Sequence, residues 1–180
     1  KENIEVIKLL FTKEELNINT SCKSEKVNQN RKEIVELSPL QFAIGHNQDE
    51  IIQLFFSNEF SKLSDQIDIN GRSMKAIIDE EIEIFEQTAL YMSIEKQNIN
   101  AIKTLLARPN LDINEKSFHV KGNNQVEEKA ALHLAAEIGN LEIIRLLLEK
   151  KDIDINIEDD QGKKPIDYSE NQEIKYLLSK

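Results

Sequence analysis

The side chains in this sequence that could perform chemistry are three histidines, one cysteine and several neighbouring acidic residues. A metal centre would need such side chains at spacings that bring them around one ion. The histidines fall in separate parts of the chain, and Cys22 lies apart from all of them. They are His46, His119 and His133. The spacing therefore predicts no metal site.

Other kinds of catalytic site lack their sequence patterns as well. The five glycines are isolated, so they form no glycine-rich loop that could hold a phosphate group. There is no Gly-x-Ser-x-Gly motif, and Asp159 and Asp160 sit in a predicted turn with no reason to face each other across a cleft. We expect no enzyme, no cofactor and no small-molecule substrate.

The composition excludes two further classes of partner. The net charge of −10 disfavours nucleic acid and anionic membrane surfaces, because both attract clustered Lys and Arg. The longest apolar stretches, such as Leu54–Phe56, fall far short of the roughly 20 residues that span a bilayer, so we expect no membrane insertion. A single cysteine cannot form an internal disulfide, which favours a reducing, cytoplasmic location.

Internal repeats organise the chain. The segment that starts at Thr88–Glu95 aligns without a gap with the segment that starts at Ala130–Glu137, and both end in Asp-Ile-Asn. Asn3–Leu10 aligns with Asn140–Leu147 in the same way. A more divergent copy covers residues 38–70, and a shortened one closes the chain. Fixed-period similarity of this kind is typical of a stacked repeat protein.

Each repeat carries two short runs of apolar residues at helical spacing. The runs in the clearest copy contain Leu132, Ala135 and Ala136, then Leu141, Ile144, Leu147 and Leu148. Helices shorter than roughly 12 residues are marginal in water, so each must pack against its partner and against the neighbouring repeats. The pattern predicts a row of helix pairs that share one continuous core.

These motifs resemble the ankyrin-repeat family, whose pattern reads Gly-x-Thr-Pro-Leu-His-x-Ala-Ala, then a Gly-(His/Asn)-x-Glu turn into Leu-Leu, then Asp-(Ile/Val)-Asn. Ala131–Ala136 followed by Gly139–Ile144 is the best copy. The resemblance implies a mainly α fold, an α-solenoid of helix-turn-helix units with projecting β-hairpins. It also implies that His133 is structural and bonds to turn backbone, with Gln41, Tyr91 and Asp167 in its place elsewhere.

The predicted boundaries describe a single domain over residues 1–180. The repeats are 1–19 (partial), 38–70, 88–114, 130–156 and a capping unit at 162–180, and the longer inserts between them are 20–37, 71–87 and 115–129. Two of these inserts alternate apolar and polar residues like the strands of hairpins. In the second, Met74, Ala76 and Ile78 precede an acidic tip at Asp79–Glu81, and Ile82 and Ile84 follow it; in the third, strands flank a turn at Gly122–Asn124.

The function implied by the resemblance is recognition of another protein on the concave face, built from first helices and hairpins. Two interpretations of the apolar hairpin residues stay open and are compatible: a raised wall that contacts the partner, or packing between neighbouring hairpins. The predicted partner-binding residues are Ile78, Ile82, Phe85, Glu95, Lys96, Phe118, Val120, Glu137, Ile138, Asp160, Gln161 and Lys163.

Two alternatives remain open at this stage. The chain opens within a helical pattern and without Met, so Ile4, Ile7 and Leu10 would have an open apolar flank unless further repeats precede Lys1. The chain could then be the targeting or regulatory arm of a larger protein with an enzymatic or membrane domain elsewhere. The second alternative is that these residues are themselves enzymatic, which replacing His133 would test.

Overall fold

A computed structural model describes residues 2–12, 17–28, 31–79, 81–122 and 125–180. Predictions that concern Lys1, the Glu80 part of the acidic tip and the turn residues Asn123 and Asn124 lie outside the described residues, as does the side chain of Leu10. The side chains of Ile4 and Ile7 pack against the core.

The helices form pairs, as the sequence pattern predicts. They are α1 (Glu2–Phe11), α2 (Pro39–Gly45), α3 (Asp49–Phe55), α4 (Ser61–Ser64), α5 (Ala89–Glu95), α6 (Ile99–Leu106), α7 (Ala131–Ile138), α8 (Leu141–Leu148) and α9 (Gln172–Leu178). The described residues also contain two 3₁₀ turns: Asn58–Phe60 lies directly before α4, and Pro165–Tyr168 lies a few residues before α9. In the three central repeats, the first helices α2, α5 and α7 pack side by side as an inner row, and α3, α6 and α8 form an outer row.

The core lies between these two rows. Ile44, Ile94 and Leu132 from the inner helices are fully buried, as are Ile102 and Ile144 from the outer ones. These helices are only seven or eight residues long, so their stability depends on this burial and on good caps. The repeats therefore stabilise one another and share one core.

The expectation of a mainly α solenoid is wrong. The inserts form six strands in the described residues: β1 (Cys22–Asn28), β2 (Arg31–Leu37), β3 (Arg72–Ile78), β4 (Ile82–Thr88), β5 (Lys116–Val120) and β6 (Val126–Ala130). They do not project as separate hairpins but join, in chain order, into one antiparallel sheet. A two-stranded hairpin is marginal in water and leaves backbone groups unpaired at both edges, and pairing neighbouring hairpins satisfies those groups. The fold is a helical repeat array joined to a six-stranded sheet.

Each strand that returns from a hairpin leads directly into an inner helix. Ser38 follows β2 and caps α2, where its hydroxyl accepts a hydrogen bond from the Gln41 N–H at 3.3 Å. Thr88 ends β4 and caps α5 in the same way, through the Tyr91 N–H at 3.1 Å. Ala130 ends β6 and is the residue before α7. Since no linker separates strand from helix, the caps fix the angle between the sheet and the inner row.

The asparagines that end the first three Asp-Ile-Asn or Asn-Ile-Asn motifs each tie one repeat to the next. The Oδ1 atom of Asn70 accepts a hydrogen bond from the Asp112 N–H at 2.8 Å, and its Nδ2 donates to the Asn110 carbonyl oxygen at 2.9 Å. Asn19 and Asn114 make the same pair of bonds to the repeats that follow them. These three bridges hold successive repeats in a constant stagger.

In the part of the chain that the structure describes, none of the helices is long and apolar enough to cross a membrane.

Candidate functional site

The two faces of the sheet differ in chemistry. Directly opposed residues of antiparallel strands project on the same face, so the strand register assigns every side chain to one face or the other. The front face carries a mixed row that crosses all six strands: Ser24, Val35, Lys75, Phe85, His119 and Glu127. The back face carries an apolar row across the last five strands: Ile34, Ala76, Ile84, Val120 and Val126.

The front face turns towards the ends of the inner helices. Gln87 on β4 donates a hydrogen bond from Nε2 to Glu95 Oε1 at the end of α5, at 3.4 Å. Lys129 on β6 lies 2.8 Å from Glu137 near the end of α7, measured from Nζ to Oε2. Sheet and helices thus form the two walls of a groove. The pairing follows from the strand-to-helix junctions, which bend each helix back along the front of its own hairpin.

Three cavities line up along this groove. The first, about 330 Å³, lies between Cys22, Lys26 and Phe42. The second, about 390 Å³, shares Val35, Leu37 and His46 with the first and extends to Met92 and Lys96. The third, about 120 Å³, shares Phe85, Gln87 and Glu95 with the second and ends at Glu127 and Lys129. Because neighbouring cavities share lining residues, they lie end to end along one groove, the concave groove.

The N-terminal end of the concave groove exposes an aromatic ring. The side chain of Phe42, on α2, is 45% exposed, although most large apolar side chains of the inner helices are buried. Its ring stacks on His46 with a centroid distance of 4.1 Å, and His46 Nδ1 lies 2.9 Å from the Phe42 carbonyl oxygen. Val35 and Leu37 supply the facing sheet wall. This end of the groove therefore offers an apolar surface to a binding partner.

The C-terminal end combines aromatic rings with carboxylates. Phe85 and His119 stack with a centroid distance of 4.1 Å and an interplanar angle of 15°. The His119 ring lies between Glu83 and Glu127, with nitrogen-to-oxygen distances of 3.7 and 3.6 Å. Burial, together with the carboxylates of Glu137, Glu95 and Glu127, raises the pKa of Tyr91 to about 12. This end of the groove therefore combines aromatic rings with four carboxylates, two of which are paired with Lys121 and Lys129.

Residues 115–180, a little over a third of the chain, match the family model for ankyrin repeats. These residues therefore carry ankyrin repeats, and the match supports an ankyrin-repeat protein. The resemblance inferred from the motifs is confirmed. The match covers the third hairpin, the α7–α8 pair and the closing unit, and the α2–α3 and α5–α6 pairs before it repeat the same arrangement. No curated protein matches the chain.

Ankyrin repeats are generally protein–protein interaction modules. The structure places the predicted binding residues in three regions: the concave groove, the back of the sheet and the C-terminal edge of the array. Phe85, Glu95 and Lys96 line the concave groove, and Glu137 lies at its rim through its contact with Lys129. Phe85, Glu95 and Lys96 come from β4 and the end of α5, and Glu137 comes from α7 in the next repeat. Their contact with a partner stays a prediction.

The hairpin residues predicted to form one apolar wall are divided between the faces. Ile78, Ile82, Phe118 and Val120 lie on the back of the sheet, whereas Phe85 lies on the front. On the back, the Arg72 guanidinium carbon sits 4.5 Å from the centre of the Phe118 ring. The alternation along β4 already separates Phe85 from Ile82 by an odd number of positions, so a single wall could not contain both. The structure does not bring this predicted set together.

The remaining predicted residues lie at the C-terminal edge of the ankyrin array. Ile138 is half-buried and packs against the core, so its apolar character already has a structural use. Asp160 accepts a hydrogen bond from the Glu128 N–H at 2.9 Å and thereby covers part of the edge of β6. Gln161 and Lys163 are exposed, and their N–H groups donate to Asp159 Oδ1.

Sequence reasoning missed several residues that form the groove. Phe42, Val35 and Tyr91 were not among the predicted contacts, although all three line it. Phe42 carried a usable signal, because it precedes two buried residues of α2, Ala43 and Ile44, and so points away from the helix pair. Val35 carried no such signal. The first hairpin is polar, and the face of the sheet on which Val35 lies depends on how β2 pairs with β3.

The groove offers no arrangement for metal binding. In the described ranges, no three His, Cys, Asp or Glu side chains converge on a point that could hold an ion. His133 lies in the interior, fully buried, away from the groove. What the groove provides is an apolar end, an aromatic end with several carboxylates, and a row of adjacent cavities from one to the other.

Proposed function

We propose that this ankyrin-repeat protein is a non-enzymatic module that binds a segment of another protein in the concave groove. The observation that carries the proposal is the row of three adjacent cavities between the inner helices and the front of the sheet, lined by side chains from all three hairpins. Concave surfaces with apolar walls and a few polar groups are where proteins usually bind ligands.

The exposed ring of Phe42 supports the same surface. Phe42 is 45% exposed at a cavity wall, and aromatic residues, Phe among them, are enriched in protein interfaces relative to the rest of the surface. The back face has exposed apolar residues too, such as Ile82 at 52%. The cavity on that side, about 380 Å³, is lined mainly by polar residues such as Asn19, Asp68 and Glu86, so it offers a partner little apolar surface. The groove is therefore the surface that we propose.

We also propose that the protein is found in a reducing compartment of the cell. Cys22 is a free, exposed cysteine at the N-terminal end of the groove. A cytoplasmic location would keep it reduced. This location is part of the proposal and rests on the single thiol.

Two matched variants test the groove. Phe42→Glu places a charge at the exposed ring in the groove, and Ile82→Glu makes the equivalent change at a similarly exposed residue on the back face. Each purified chain would be used for affinity capture of partners from a cell extract, with quantitative mass spectrometry and with circular dichroism as a check on folding. We expect Phe42→Glu to reduce capture at least tenfold and Ile82→Glu to leave it within twofold. The reverse result would place the partner on the back of the sheet.

A further inference from the structure

The third cavity of the concave groove has a composition that selects for positive charge. Its walls include the rings of Phe85, Tyr91 and His119, and its rim carries the carboxylates of Glu95 and Glu127. The ammonium group of Lys129 also lines the cavity, and Glu137 Oε2 lies 2.8 Å from it and offsets its charge. The faces of aromatic rings carry partial negative charge and attract cations, and carboxylates attract them more strongly. Both parts of the wall therefore favour the same kind of occupant.

The two carboxylates of this cavity remain accessible to solvent. A hydrogen bond from the Lys121 ammonium lowers the pKa of Glu127 below its ordinary value, so its carboxylate is charged at neutral pH. Glu95 has weaker neighbours, namely the Gln87 amide at 3.4 Å and the Lys96 ammonium at 4.0 Å. Solvent-exposed ion pairs of this kind contribute little, so an incoming cation can share or replace them.

The size of the cavity suits the head of a long side chain. Its volume of about 120 Å³ is several times the ~10–15 Å³ that a single water molecule needs. A guanidinium group is flat, stacks on aromatic rings and donates two parallel hydrogen bonds to a carboxylate. An ammonium group is a compact point charge that neither stacks nor forms such a pair of bonds. Shape and chemistry together favour arginine over lysine.

We propose that the C-terminal end of the concave groove binds an arginine side chain of the partner segment, while the N-terminal end binds an apolar side chain of the same segment. This inference rests on the proposed function, because it concerns the same groove. It commits the partner to a stated chemistry: a protein segment in which a basic and an apolar residue lie at a fixed spacing.

The spacing follows from the sheet. The apolar end is centred near β2 and the aromatic, acidic end near β5, which are three strand intervals apart, or roughly 14 Å at about 4.8 Å per interval. An extended segment crossing the strands advances about 3.3 Å per residue, so the two side chains would be about four residues apart. Residues four apart in an extended segment also point to the same side, so both can face into the groove.

The experiment begins with a displayed library of random heptapeptides, selected against the intact chain held by a C-terminal biotin tag. Enriched peptides would be synthesised with a fluorophore and titrated against the chain by fluorescence anisotropy. We expect a recurrent arginine about four positions from a recurrent apolar residue. We also expect Phe42→Glu to abolish binding, which would assign the peptides to the groove.

A double-mutant cycle then tests the contact itself. The chain carrying Glu95→Gln and Glu127→Gln together should bind the selected peptide about tenfold more weakly. Glu86→Gln, a carboxylate removed from the back face, should change the Kd less than twofold. Replacing the peptide arginine by citrulline, which is nearly isosteric but neutral, should cause a similar loss and make the peptide insensitive to the two glutamines, because coupled residues show non-additive effects.

The outcomes separate this inference from the proposed function. Peptides that need Phe42 but show no recurrent cation, or that ignore the two glutamines, would overturn the arginine site and leave groove binding intact. Peptides that ignore Phe42→Glu but are lost with Ile82→Glu would overturn both. A selection that enriches no peptide would also count against the arginine site, and groove binding would still be tested by the capture experiment.

Discussion

The Nε2 atom of the buried His133 ring lies 3.1 Å from the backbone carbonyl oxygen of Lys163, in the repeat that follows. The Nδ1 atom of the same ring accepts a hydrogen bond from the Ala130 N–H at 3.2 Å. Since Nδ1 accepts a hydrogen bond, the ring hydrogen is on Nε2, which donates a hydrogen bond to the Lys163 carbonyl oxygen. Gln41 makes the same two kinds of bond in an earlier repeat, to Ser38 N–H and the Gly71 carbonyl oxygen. The structural role predicted for His133 is confirmed.

The first prediction concerns the free energy of unfolding. His133→Ala should lower it by about 3 kcal/mol, because the change removes a fully buried ring and leaves two backbone groups without partners. His133→Gln should lose less than half as much, since a glutamine makes both bonds at position 41. Urea denaturation followed by circular dichroism would measure both. Equal losses in the two variants would mean that packing alone, and not hydrogen bonding, is what the ring provides.

The second prediction concerns pH. Burial lowers the pKa of His133 in the folded chain, although the Lys163 carbonyl opposes this shift. The unfolded chain has an ordinary histidine pKa near ~6.5, so below that pH it takes up a proton that the folded chain resists. Stability from this residue is therefore complete above pH ~6.5 and falls as the pH is lowered towards 5. Unfolding free energies at pH 7, 6 and 5 should fall more steeply for the native chain than for His133→Gln, and parallel slopes would contradict the assignment.

The third prediction concerns the asparagine bridges between repeats. Asn70→Ala should lower the free energy of unfolding by about 1–2 kcal/mol, because it breaks two hydrogen bonds to the next repeat. Asn70→Asp keeps an acceptor for the Asp112 N–H but loses the donor to the Asn110 carbonyl oxygen. The decrease in the free energy of unfolding of this variant therefore measures what the donated hydrogen bond contributes. Asn58→Ala, at an exposed position away from the bridges, is the control and should change stability by less than ~0.5 kcal/mol. If Asn70→Ala behaved like this control, the bridges would not be coupling the repeats.

The fourth prediction concerns the closing unit. Asp159 is buried and accepts hydrogen bonds from the Tyr168 hydroxyl and from the N–H groups of Gln161 and Lys163. Burial alone would raise the pKa of Asp159, but these hydrogen bonds outweigh it and lower the pKa. Its contribution is thus present above pH ~4 and is lost as the pH falls through the folded-state pKa. Asp159→Ala should cost about 2–3 kcal/mol at pH 7, and Tyr168→Phe about 1 kcal/mol.

The matched control for this site is Asp160→Asn. It retains an oxygen that can accept the bond from Glu128 N–H and is exposed, so we expect almost no change in its thermal unfolding midpoint. A midpoint for Asp159→Ala that also stays at the native value would show that the buried carboxylate is not stabilising the closing unit.

Local sequence patterns determined much of this molecule. Helical spacing predicted the helix pairs, the repeated Asp-Ile-Asn motif marked the ends of the repeats, and alternation predicted hairpins in the inserts. Each of these signals depends on residues a few positions apart. For the same reason the alternation in β4 could separate Phe85 from Ile82, while it could not tell which of the two faces the helices.

Tertiary structure alone decided that the hairpins merge into one sheet and which of its sides lines the groove. The register of β2 against β3 and of β4 against β5 joins segments from different repeats, and the bond between Gln87 and Glu95 fixes the front of the sheet against the inner helices. Such pairings depend on how the repeats stack, which no local period encodes. The sequence by itself therefore determined the repeats and their elements, and the stacking of the repeats placed Phe42, Phe85 and Glu95 along the concave groove.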